Sequence, residues 1–146
     1  MRMKRDSQRA AWTAFIERGK APSGGNKAVG RLKTGERNKT EAEYESHLEL
    51  RKQVGEILWY EFERITFRLA DDCRYTPDFA LLLASGSLEC HELKGTTTLT
   101  RKSGDRVKAP YFMDDAKVKL RVAAQMFPVI FKVVYKVSGN WIEEEI

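Results

Sequence analysis

The chain has 146 residues, 26 Lys plus Arg against 21 Asp plus Glu, 42% hydrophobic residues and a net charge of +5, which supports one core and leaves little for a second. Its longest apolar run, Phe79 to Ala84, is six residues, far short of the roughly 20 that cross a bilayer, and no apolar segment like that of a signal peptide follows the basic N-terminus. A soluble cytoplasmic protein with no membrane partner is expected. Cys73 and Cys90 are too few for a disulfide scaffold and lack zinc-site spacing, so both are expected to be half-buried thiols.

Charge is divided unevenly along the chain. Residues 1–39 hold 11 basic and 3 acidic side chains, residues 40–94 hold 6 and 12, and residues 95–146 hold 9 and 6. Unless this is an accident of surface composition, a basic frame around an acidic centre suggests a polyanion gripped electrostatically while carboxylates act locally, with metal ions as their partners.

Trp12, Phe15 and Ile16 fall at helical spacing before Gly19, which predicts a short amphipathic helix with one apolar edge, able to pack or to pair two copies. From Gly19 to Asn38, five glycines, one proline and five basic residues read as a flexible basic arm. Residues 1–38 are thus set apart from a single domain over 39–146. Residues 39–54 have a helical pattern in which Glu41, Tyr44 and Leu48 share one face within roughly 60°. Glu41 either lies over the helix N-terminus, where the macrodipole favours it, or faces a site inside the fold.

Alternation predicts a β stretch from Ile57 to Leu69, then strands over Tyr75 to Ala84 and Leu88 to Gly95 joined through Ser85-Gly86-Ser87 as an antiparallel hairpin. Residues 96–112 read as a polar loop with four basic residues. Asp114 is the expected cap of a helix ending before Pro128, with Ala116, Leu120, Ala123 and Phe127 on its apolar face. Val129 to Val137 alternates as a core strand, and Trp141 to Ile146 closes the chain after a Ser-Gly-Asn turn. The order predicts an α/β or α+β domain with a central mixed sheet flanked by helices.

Asp78, Glu92 and Lys94 lie where the strand pattern expects core. A loop centred on Gly86 sets Asp78 across from Lys94 and Ala80 across from Glu92, so all three project from one face, with the carboxylates close enough to share a cation. Carboxylates converging on a half-buried face repel unless something positive lies between them. Mg²⁺, which takes oxygen ligands and bridges to phosphate, suits such a pair, and Lys94 could hold an attacking water or stabilise charge on a pentacovalent phosphate. The alternative is a structural Asp78–Lys94 salt bridge with Glu92 exposed. His91 should point away from Glu92 as a packed or surface histidine, and His47 is read likewise.

The segments Tyr75-Thr76-Pro77-Asp78 and Glu92-Leu93-Lys94-Gly95, thirteen residues apart, resemble the Pro-Asp and Glu-x-Lys signature of the PD-(D/E)XK nuclease superfamily. The surrounding pattern, a helix with an inward Glu, a hairpin, then a helix and a strand, is similar to that superfamily's restriction-endonuclease-like αβββαβ core. Lys39-Thr40-Glu41-Ala42-Glu43-Tyr44 with Gly55-Glu56-Ile57 also resembles small phage-encoded members, from which the chain departs by carrying Glu61 and Glu63 where a Gln is usual. The resemblance implies Mg²⁺ or Mn²⁺ ligation by Asp78, Glu92 and the Leu93 carbonyl, a water-positioning and charge-stabilising role for Lys94, and an outer acid in Glu41. It implies a phosphodiester hydrolase acting on DNA in a phage-infected or prophage-bearing bacterial host.

Arg31, Lys33, Arg37 and Lys39 around the arm, Arg101, Lys102, Arg106 and Lys108 in the polar loop, and Lys117 and Arg121 on the second helix are the expected contacts to the DNA backbone. With no recognition domain in the chain, selectivity for branched DNA such as Holliday junctions is expected over sequence readout. The superfamily's junction resolvases cut as dimers in DNA recombination, and the Trp12 helix is a candidate for pairing. The competing expectations are a non-catalytic DNA-binding or anti-host protein on the same fold, and a restriction-like nicking endonuclease.

Overall fold

The structure, a computed structural model, describes residues 37–146. The expected helix at Trp12, Phe15 and Ile16 and the arm residues Arg31 and Lys33 lie outside the described residues. The fold is α+β. Asn38 opens α1 (Lys39–Gln53) with a capping box: its side chain accepts the Glu41 N–H at 3.0 Å, and the Glu41 carboxylate accepts the Asn38 N–H at 2.7 Å. Gly55, at φ 83°, ends the helix, with the Gly55 and Glu56 N–H groups turned back onto the Lys52 and Arg51 carbonyls at 3.0 Å.

The expected stretch from Ile57 to Leu69 divides into β1 (Ile57–Phe62) and β2 (Phe67–Ala70), and between them Glu63 adopts a left-handed φ of 46° that no strand can continue. The strand expected over Tyr75 to Ala84 divides as well, into β3 (Cys73–Tyr75) and β4 (Phe79–Leu83), because Pro77 lacks the N–H a ladder needs. β2 and β3 form a separate antiparallel hairpin. After β5 (Leu88–Leu93), the expected polar loop is instead a second hairpin, β6 (Thr96–Thr100) and β7 (Arg106–Pro110). Helix α2 (Asp114–Met126) starts from Met113, which makes no side-chain cap. Asp114 is therefore not the cap; it sits with Asp115 in the first turn, where the helix dipole favours acids. Strands β8 (Ile130–Val137) and β9 (Asn140–Glu145) finish the chain.

The central sheet has the order β1-β4-β5-β8-β9. All its pairs are antiparallel except β5–β8, which is parallel and is bridged by the segment containing α2. Leaving aside the two hairpins and the last strand, the order is αβββαβ.

Alternation along the strands sends side chains to two cores. Tyr44 and Leu48 of α1 bury against Ile57, Phe79, Leu81 and Val134 on one face. Leu120 and Ala123 of α2, with Phe67 and Tyr75 from the first hairpin, bury against Ala80, Cys90, Phe131, Val133 and Tyr135 on the other. Each fully buried large apolar side chain is worth roughly 1.5–3 kcal/mol, which is what clamps a helix to each face. Both cysteines are free, Cys73 half-buried and Cys90 fully buried.

The α1 face also holds a polar network. His91, fully buried, takes the Tyr44 hydroxyl at Nδ1 (2.7 Å) and the Glu89 carboxylate at Nε2 (2.8 Å). Lys132 Nζ lies 2.8 Å from Glu89 and 3.3 Å from Glu143, and Arg51 Nη1 lies 2.8 Å from Glu143. Burial alone would raise the Glu89 pKa, but hydrogen bonds from His91 and Lys132 outweigh it and hold it down at about 2. A carboxylate whose folded pKa lies below its ordinary value stabilises the fold above that value and loses the contribution as the pH falls through the folded one. Glu89→Gln is therefore expected to destabilise the protein at pH 7 by on the order of 2 kcal/mol, since it removes the nearer of the two carboxylates on Lys132 and leaves only Glu143. It should also flatten the loss of melting temperature between pH 4.5, the ordinary value, and about 2, as followed by circular dichroism.

Candidate active site

The site is assembled by the β4–β5 hairpin. Its connection is three residues long but is Ala84-Ser85-Gly86, one position earlier than the sequence suggested: the Leu83 N–H donates to the Ser87 carbonyl at 2.9 Å. Gly86 takes the left-handed position at φ 88° that ends such a loop, a conformation glycine adopts without penalty. Phe79 consequently faces His91 and Ala80 faces Cys90, so the expected pairings of Asp78 with Lys94 and Ala80 with Glu92 are displaced by two residues. An even displacement keeps every side chain on its expected face. Continued one residue beyond Phe79, the register opposes Asp78 to Glu92 directly.

Backbone hydrogen bonds fix both ends of this pair. The Asp78 carbonyl accepts the Glu63 N–H at 2.8 Å, and the Lys94 N–H donates to the Val134 carbonyl at 2.9 Å. The Asp78 side chain accepts the Leu93 N–H at Oδ2 (2.7 Å), so the Leu93 backbone meets the site on the side of Asp78. Glu92, only 9% exposed, is held at both oxygens, by Lys94 Nζ at 2.7 Å and by the buried Tyr75 hydroxyl at 2.9 Å. Lys94 Nζ also stands 5.6 Å above the Phe112 ring. The Asp78–Lys94 salt bridge weighed as the alternative is not formed; the lysine pairs with Glu92, which is buried and not exposed.

Asp78 is pushed well above the ordinary carboxylate range. Burial is the main cause and the Glu92 charge the second; the Leu93 N–H opposes them, the Glu41 charge adds to them and Lys94 opposes again. Glu92, Glu41 and Lys94 thus all act electrostatically on Asp78. Of the two places considered for Glu41, it takes the helix N-terminus, closing the capping box, and from there its charge still acts on Asp78. Two carboxylates and a third acid around one cation leave a surplus of negative charge in a half-buried place, the donor chemistry that suits a hard divalent ion.

Glu61 lies on β1 opposite Ala80 and pairs with Arg64 at 3.2 Å. His91 points away from Glu92 as expected, and His47 stacks on Tyr44 with ring centroids 5.7 Å apart. Among the expected DNA contacts, Arg37 is engaged with Glu45 at 2.8 Å and stacks over Phe62 at 5.0 Å. Lys39, Arg101, Lys102, Arg106, Lys108, Lys117 and Arg121 are exposed.

Two groups escaped the sequence reading. Tyr75 was read as a strand residue, and only its position on β3 aims its hydroxyl at Glu92. Glu89, His91 and Glu143 bring ligand-type atoms within 4.8 Å of one another; the signal available was that Glu89 and His91 alternate on one face of a strand buried on both. Here Lys132 and Arg51 already balance the two carboxylates, so this group is read as an internal ion network. No family model matches the chain, and neither a curated protein nor a solved structure matches it.

Asp78→Asn retains an acceptor for the Leu93 N–H while removing a charge that burial and Glu92 disfavour. A carboxyl whose folded pKa is raised weakens the fold as pH climbs above its ordinary value, so the variant is expected to gain on the order of 1 kcal/mol at pH 7 to 8, read as a higher melting temperature; a salt-bridge carboxylate would give a loss. Tyr75→Phe keeps the ring packed and removes one of the two donors that orient Glu92. Affinity for Mn²⁺, measured by titration calorimetry, is expected to fall about tenfold with the circular dichroism spectrum unchanged.

Proposed function

We propose that the protein is a Mg²⁺- or Mn²⁺-dependent DNA endonuclease of the PD-(D/E)XK type. The observation that carries this reading is the placing of Asp78 against Glu92 on one sheet face, with Lys94 on the Glu92 carboxylate and an electrostatic surplus that a divalent cation would relieve. The Asp78 and Glu92 carboxylates and the Leu93 carbonyl would hold the ion, with Glu41 further out. When bound, it would supply an activated water and neutralise phosphate charge.

The chain's own residues do the rest. Tyr75 and Lys94 fix the Glu92 carboxylate so that it does not rotate when substrate arrives. Lys94 Nζ, anchored over Phe112, is positioned to orient a water and to donate to charge growing on the phosphate. The Leu93 N–H holds Asp78 in one rotamer. The exposed cations of α1, of the β6–β7 hairpin and of α2 would bind the DNA backbone.

Purified protein is to be incubated with supercoiled plasmid, linear duplex, single strand, fork and four-way junction in Mg²⁺. Cleavage of at least one DNA is expected, with branched forms preferred if the enzyme is structure-selective. Asp78→Asn and Glu92→Gln should abolish it, and Lys94→Ala should slow it by on the order of 10²-fold. An Asp78→Asn protein that cuts at the wild-type rate would overturn the proposal, and metal-independent binding with no cleavage of any substrate would favour a non-catalytic DNA-binding protein.

A further inference from the structure

The β6–β7 hairpin starts two residues after Lys94, and its base is closed by the Tyr111 N–H on the Gly95 carbonyl at 2.8 Å. Its register sets Thr96 opposite Pro110, Thr98 opposite Lys108 and Thr100 opposite Arg106. With alternating side chains, Thr96, Thr98, Thr100, Arg106 and Lys108 share one face, and all five are exposed. On the other face Thr97, Val107 and Ala109 are half-buried and Leu99 is exposed. The tip adds Arg101 and Lys102. Its one acid, Asp105, is turned into the tip, accepting Ser103 Oγ at 2.7 Å through its side chain and the Arg101 N–H at 2.8 Å through its carbonyl. Arg101, Lys102, Arg106 and Lys108 have no ion-pair partner among the described residues.

We propose that this ribbon docks in the major groove of B-form duplex DNA and so delivers a double-stranded substrate to the site beside it; the delivery step rests on the nuclease reading, the docking does not. A two-stranded ribbon fits a groove about 12 Å wide, and five-residue strands give it a reach of roughly 17 Å. Lying in the groove, its β7 edge carries Arg106 and Lys108, and its tip Arg101 and Lys102, toward backbone phosphates, which supplies affinity. The threonine row, hydroxyl and methyl together, faces base edges, where a hydroxyl serves either donor or acceptor and a methyl packs against thymine. Single-stranded DNA is bound mainly on aromatic stacking platforms, and the exposed ribbon face carries no ring. Duplex RNA has a deep, narrow major groove that excludes such a ribbon.

Binding is to be measured by fluorescence anisotropy on the full-length protein, in EDTA, with a labelled duplex DNA, the same-sequence single strand and the equivalent RNA duplex. Wild-type protein is expected to bind the DNA duplex at least tenfold more tightly than the other two. Arg106→Gln/Lys108→Gln should weaken duplex binding by tenfold or more near 0.1 M salt and lower the log–log salt slope by roughly 2, at about 0.9 per phosphate. Thr98→Ala, a single exposed change, should weaken it less and leave the slope alone. Melting curves identify any variant that fails to fold, and Thr98→Ala then carries the test. Equal affinity for the three nucleic acids, no binding at all, or unchanged duplex affinity in the folded variants would overturn the proposal. Parallel cleavage assays separate the two ideas. Loss of duplex binding in the double variant, with no cleavage by wild type on any DNA, would retain the ribbon and reject the nuclease. Full binding by the double variant, with cleavage abolished in Asp78→Asn, would do the reverse.

Discussion

The antiparallel register of β4 on β5 is the constraint on which the site depends, and Gly86 sets it. Its left-handed conformation at the end of the loop makes Leu83 and Ser87 the closing pair. From there the ladder runs down to Phe79 and His91, and one step further lie Asp78 and Glu92. A slip of one residue would turn Glu92 and Lys94 to the α1 face and leave Asp78 alone. The Glu63 amide just past β1 and the Val134 carbonyl of β8 hold this region from either side, on the Asp78 carbonyl and the Lys94 amide.

Strand β5 is buried on both faces and carries charge on each, and the two faces resolve that burden differently. Toward α1, the Glu89 and Glu143 carboxylates meet Lys132 and Arg51, so the charges balance and Glu89 is held ionised. Toward α2, Lys94 pairs with Glu92 and not with Asp78, the Glu41 charge adds to the repulsion, and Asp78 is driven toward its neutral form. A balanced buried network contributes to holding a strand in place. An unbalanced one costs stability, and buried groups with perturbed charge cluster at functional sites. The ion network thus serves as the fixed back of the strand whose front carries the site.

The β6–β7 hairpin continues the same logic outward. It grows from the end of β5, so whatever its exposed face binds is brought beside Lys94. Thr97, Val107 and Ala109 on one face are half-buried beside an exposed Leu99, while the threonine and cation row faces solvent. One strand thereby connects an internal ion network, a carboxylate site and a basic ribbon.

The face on which Asp78, Glu92 and Lys94 lie was legible in the sequence because side-chain alternation depends on parity alone, and an even error in register leaves parity intact. The two helices and the core residues Tyr44, Leu48, Leu120 and Ala123 were legible for a similar reason, since apolar spacing survives uncertainty at helix ends. The second hairpin was not: threonines interleaved with cations read as a polar loop, because a ribbon exposed on one face lacks the apolar stripe that marks a buried strand. Asp114 suits a cap by composition, but the chain's entry through extended Met113 places it one residue inside the helix. Long-range partners were beyond reach as well. That Lys94 would choose Glu92 over Asp78, that Tyr75 would reach Glu92 across 17 residues, and that Lys132 and Glu143 from the last two strands would close on Glu89 are outcomes of packing. The sequence by itself determined which residue types share a face, because backbone geometry dictates that locally; only the tertiary structure decided which charges meet, because that depends on how distant strands and turns are brought together.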